Sequence, residues 1–68
     1  MSDIVKRSVV IDGHRTSVSI EPEFWDALTA LAKSQGRGVN SLIAEIDRAR
    51  DGNLSSAIRV YVLKALRG

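Results

Sequence analysis

Three hydrogen-bonding side chains, Arg15, Ser17 and Ser19, fall on every second residue of the stretch His14–Ile20. At that period they share one side of an extended strand, while Thr16, Val18 and Ile20 share the other. Such a row offers a guanidinium and two hydroxyls to a partner, which is recognition chemistry rather than bond-breaking chemistry. Little else in the chain could react. There is no cysteine, so no thiolate nucleophile, disulfide or thiolate metal site can form, and the one histidine, His14, cannot build a three- or four-ligand zinc centre. No glycine-rich phosphate loop or paired acidic motif occurs. A chain of 68 residues also encloses too little volume for a cofactor pocket. The sequence therefore predicts a protein that is not an enzyme and carries no cofactor or metal.

Charge is placed unevenly. The net charge of +2 comes from ten basic and eight acidic residues. Lys6, Arg7 and Arg15 lie near the N-terminus, and Arg59, Lys64 and Arg67 sit in the last seventeen residues with no acid among them. Glu21, Glu23 and Asp26 gather between them. Basic groups at both ends could form an electrostatic footprint for nucleic acid.

The elements that must position these groups are short. Residues 1–5 read as a loose end and residues 6–68 as a single dimerising domain. From Lys6 to Ile20 the residues favour strand, and Asp12-Gly13 between the two halves suits a type I′ two-residue turn. A hairpin centred there would set Ile11 opposite His14, Val10 opposite Arg15 and Val9 opposite Thr16. Pro22 opens a first helix, with Phe24, Leu28 and Leu31 on one stripe flanked by Trp25, and Gly36 stops it. This helix is expected over about 22–35. A second follows Arg37-Gly38, with Leu42, Ile43 and Ile46 on its apolar side and either Gly38 or Asn40 as its cap, and it ends near Asp51-Gly52. The third, about 56–67 behind a Ser55 cap, carries Ile58, Val62 and Leu66 on one line and Tyr61 on the next.

A lone chain this short hides only about 60% of the surface its unfolded form exposes. Without disulfides or a metal, a partner chain is the remaining help. The 44% of apolar residues supply material for a shared core. Neither a signal peptide nor a run of apolar residues long enough to span a membrane is visible, so the chain reads as soluble and cytoplasmic, associated with the nucleoid if it binds DNA.

The order strand, helix, glycine-containing turn, helix, with the words RTSVSI and GRGVNSLI, resembles the ribbon-helix-helix repressors. The turn Gly36-Arg37-Gly38-Val39-Asn40-Ser41 is close to that of Arc-like members. HRTSVSIEPEFWDAL and NLSSAIRVYVL resemble a family of small bacterial proteins known by a ribbon-helix-helix domain. This resemblance implies a mainly α fold with an N-terminal β-strand or hairpin pairing across an intertwined homodimer, plus a third C-terminal helix. It implies that a β-ribbon enters the major groove of double-stranded DNA, as in a transcriptional repressor. Arg15, Ser17 and Ser19 would then touch base edges. Arg37, Gly38, Asn40 and Ser41 at the start of the second helix would hold a phosphate, with Lys6, Arg7, His14, Ser55 and Arg59 as further phosphate contacts. The expected dimer core is Thr16, Val18, Ile20, Phe24, Trp25, Leu28, Leu42, Ile43, Ile46, Ile58, Tyr61 and Val62. Gly38 stands where Arc-like turns carry serine, so one hydroxyl contact is missing.

Two questions stay open in the sequence. Residues 6–19 could form a hairpin or a flexible arm, and a hairpin in each of two strand-paired chains would make a sheet too wide for the groove. From another class, the chain could be a protein-interaction or dimerisation module with little or no DNA binding, docking a protein partner on its sheet or its third helix.

Overall fold

A computed structural model describes residues 3–68. The order is β1 (Val5–Ile11), β2 (His14–Ile20), α1 (Pro22–Ser34), α2 (Val39–Ala49) and α3 (Leu54–Arg67). The expected loose end at 1–5 lies partly outside the described residues, and β1 begins within it at Val5.

Residues 6–19 form a hairpin, not an arm. Asp12 and Gly13 both take left-handed backbone angles, φ 50° and 81°, the type I′ combination that matches the natural twist of two antiparallel strands. The resulting register sets Ile11 opposite His14, Val10 opposite Arg15, Ser8 opposite Ser17 and Lys6 opposite Ser19. This is the pairing that the turn dipeptide predicts. Val9, Ile11, Val18 and Ile20 point inward and are buried.

Beneath this face, α2 contacts β1 and α3 contacts β2, while α1 packs against both helices. Leu28 and Ala32 of α1, Leu42, Ile43 and Ile46 of α2, and Ile58 and Val62 of α3 complete the core. Full burial of an aliphatic side chain contributes roughly 1.5–3 kcal/mol. Five large side chains here, Ile20, Leu28, Leu42, Ile43 and Ile58, are 0% exposed. Eight of the twelve residues expected in a shared core are thus buried within one chain: Val18, Ile20, Leu28, Leu42, Ile43, Ile46, Ile58 and Val62. Phe24, Trp25 and Tyr61 are half-buried at its margin, and Thr16 is exposed. The radius of gyration, 11.2 Å, is close to the roughly 11 Å expected of a chain this length folded on its own core.

Helix ends follow local chemistry. Gly36, at φ 68°, closes α1, and the N–H groups of Gly36 and Arg37 donate to the carbonyls of Lys33 and Ala32 at 3.0 Å each, a Schellman arrangement. Gly38, not Asn40, caps α2. The third helix starts two residues before the expected position, because Asn53 rather than Ser55 caps it: the Asn53 side chain accepts from the Ser56 N–H at 2.8 Å. Ser55 is thereby freed for a different contact.

Candidate nucleic-acid interface

The hairpin gathers six side chains on its outward face. Arg15, Ser17 and Ser19 of β2 are all exposed, and across from them stand Val10, Ser8 and Lys6 of β1. No carboxylate belongs to this set. Neither Lys6 nor Arg15 makes an ion pair with another described residue, so both cations are available to an anionic partner. The alternation along His14–Ile20 identified the β2 half of this surface. Ser8 and Val10 were not singled out, although the register implied by Asp12-Gly13 places them there.

In a hairpin closed by a two-residue turn, Ile11 and His14 form a hydrogen-bonded pair. Lys6, Ser8, Val10, Arg15, Ser17 and Ser19 therefore occupy non-hydrogen-bonded pairs and turn their backbone groups outward. Ser19 is the exception to open edge: its N–H donates to Ser55 Oγ at 3.1 Å, and its carbonyl accepts from Arg59 Nη2 at 3.2 Å. Arg59 Nε also donates to Glu21 Oε1 at 2.8 Å. That bond first, then a backbone hydrogen bond, and least the nearby charge of Arg59 hold the Glu21 carboxyl below its usual pKa. Ser55 and Arg59, expected as outlying phosphate contacts, are engaged instead in clasping the end of β2 to α3.

The start of α2 is open. Gly38 offers no side-chain cap, so the first-turn N–H groups lack that partner, and Asn40 and Ser41 are exposed. Arg37 folds along the helix: it donates to Ser41 Oγ and to the Ser41 carbonyl, and pairs with Glu45 at 3.1 Å. A groove lined by Val10, Gly13, Asn40, Ser41 and Arg48 joins this helix start to the turn end of the outward face. Asp12 also lines it, with its carboxylate paired to Arg48 at 3.4 Å.

Other expected contacts are placed elsewhere. Arg7 has the inward register and lies over the Trp25 ring, 4.8 Å from its centroid, with its Nε buried and without a hydrogen-bond partner among the described residues. It points to the opposite face of the strand from Lys6. His14 and Thr16 overhang a second groove, lined also by Asp47, Arg50 and Leu54. Thr16, on the inward side by alternation, stands over this groove and is exposed. Among the described residues no group of three or more metal-ligating side chains occurs, and no helix is long and apolar enough to cross a membrane.

A β-hairpin packed on three helices, with the start of α2 beside the turn end of the sheet, defines the class of fold. Residues 4–66 match the ribbon-helix-helix domain, and the chain belongs to that family. Domains of this family are non-catalytic DNA-binding and dimerisation modules, and this protein is not an enzyme. Comparison with curated proteins and with solved structures finds no match.

Proposed function

We propose that the chain is a sequence-selective regulator of transcription that binds double-stranded DNA as a homodimer, setting the outward face of its hairpin in the major groove. The observation that carries this is the six-residue face with no carboxylate and two cations that are unpaired among the described residues, displayed on a two-stranded ribbon. A ribbon of two strands fits a groove about 12 Å wide. Arg15 donates two hydrogen bonds to a guanine, and Ser17 and Ser19 donate or accept at neighbouring edges. The free N–H groups at Gly38, Asn40 and Ser41 take a phosphate, and Lys6 takes another. Arg37 joins them at small cost, since its contact with Glu45 is a surface ion pair.

One chain already supplies both strands. Joining two copies along β2 would give four strands spanning about 14 Å, wider than the groove. That joint would also compete with Ser55 and Arg59 for the backbone of Ser19. The dimer therefore keeps two separate ribbons for two half-sites. Its contact lies on the flank of α3, where Val60, Leu63 and Leu66 are 48%, 51% and 68% exposed. The same row favours a second function, docking of a different protein with little DNA binding.

Equilibrium binding to duplex DNA at two salt concentrations tests the proposal. With Lys6 and Arg37 of two chains neutralising four phosphates, affinity should fall on the order of a hundredfold between about 50 and 200 mM salt. Absence of binding at the lower concentration would remove DNA as the partner. Solution mass should give a dimer that Leu63→Asp converts to single chains.

A further inference from the structure

Resting on the DNA-binding function above, we propose that β1 supplies a second row of base-reading residues, and that Val10 reads a thymine through its methyl group. On the outward face five positions are polar and one, Val10, is apolar, with 45% of its surface exposed. It stands directly across from Arg15 at the turn end of the ribbon. Strand propensity favours a valine at this position, and its exposed surface is also left free for an apolar partner. Against the major groove it has a natural partner, since the thymine C5-methyl is the one apolar group that the base pairs present there.

Placement supports the same partner. Val10 lines the groove that leads to Asn40 and Ser41, so a duplex whose phosphate sits on the start of α2 passes over Val10 as it meets the sheet. The only carboxylate lining that groove is Asp12, which Arg48 neutralises. Lys6 and Arg15 match the charge of the duplex on the rest of the face. Arg15 and Val10 together then specify a guanine and a nearby thymine. Ser8, opposite Ser17, adds a third short hydrogen-bonding group and little discrimination.

The experiment begins with selection of bound fragments from random duplexes. Each thymine of the preferred site is then replaced by uracil, which removes only the C5-methyl. One such replacement in each half-site should weaken the wild-type dimer about fifteenfold, about fourfold for the one carbon lost per half-site, and should leave Val10→Ser unaffected. Val10→Ser should itself bind the unmodified site about fifteenfold more weakly, about fourfold per half-site, while remaining folded. A preferred site at which no uracil replacement matters, or at which it matters equally for Val10→Ser, overturns the role of Val10 while leaving DNA binding in place. Failure to enrich any sequence overturns both.

Discussion

Replacing Arg15 with alanine separates recognition from folding. The side chain is exposed, lies on the outward face opposite Val10, and makes no hydrogen bond or ion pair with a described residue. Its removal leaves no buried group unpaired, so the urea midpoint should move by no more than about 0.5 kcal/mol of stability. A bidentate arginine–guanine contact discriminates by about 1–3 kcal/mol, roughly 5- to 150-fold in affinity for each half-site. Fluorescence anisotropy on the preferred duplex and on a scrambled duplex of equal length reads this directly. The loss should appear on the preferred duplex and be far smaller on the scrambled one. Arg15→Lys retains the charge but not the planar fork, so it should lose selectivity while retaining most of the salt dependence. Equal weakening on both duplexes would reduce Arg15 to a phosphate contact, and unchanged binding to both would remove it from the interface. Loss of stability would show that the outward face is not free.

Three further outcomes follow from the geometry. Val18→Asp places an unpaired charge at a position only 1% exposed, and should unfold the chain in circular dichroism at neutral pH; a folded variant would mean the strand faces are reversed. Gly13→Ala meets no atom within 4 Å, so its cost, about 1–2 kcal/mol by urea unfolding, is that of forcing a Cβ into φ 81°; a stability gain would contradict the type I′ turn. Glu21 titrates below its usual 4.5 when folded, so the contribution of its bond with Arg59 is complete above that value and is lost as pH falls through the lower folded one. Glu21→Gln should flatten the acid limb of the stability profile, and an unchanged limb would show that the clasp is not linked to pH.

The elements visible in the sequence are those fixed by neighbouring residues. Asp12-Gly13 sets a turn that in turn sets the register, and the period-two alternation sorts Arg15, Ser17 and Ser19 from Val18 and Ile20. Pro22 and Gly36 bound α1 by rules that act within one turn. What the sequence conceals depends on contacts between distant residues. Ser55 and Arg59 meet Ser19 across separations of 36 and 40 residues, and no local pattern marks a serine hydroxyl as the cover for a strand edge. Arg7 keeps the inward register of its strand although it is charged, with its guanidinium lying over the Trp25 ring. Thr16 departs from the expected core because it stands over an open groove lined by Asp47, Arg50 and Leu54 rather than against a packed side chain. Within one chain, Val9, Ile11 and Ala44 are buried as well, residues outside the set expected for the core.

Backbone amide shifts of isotope-labelled protein, followed by NMR as the preferred duplex is added, would locate bound DNA on the folded chain. The largest changes should fall on Lys6, Ser8, Val10, Arg15, Ser17 and Ser19 and on the first turn of α2, with α1 little affected. Changes confined to α3, or none at all, would contradict a hairpin that meets DNA with its outward face.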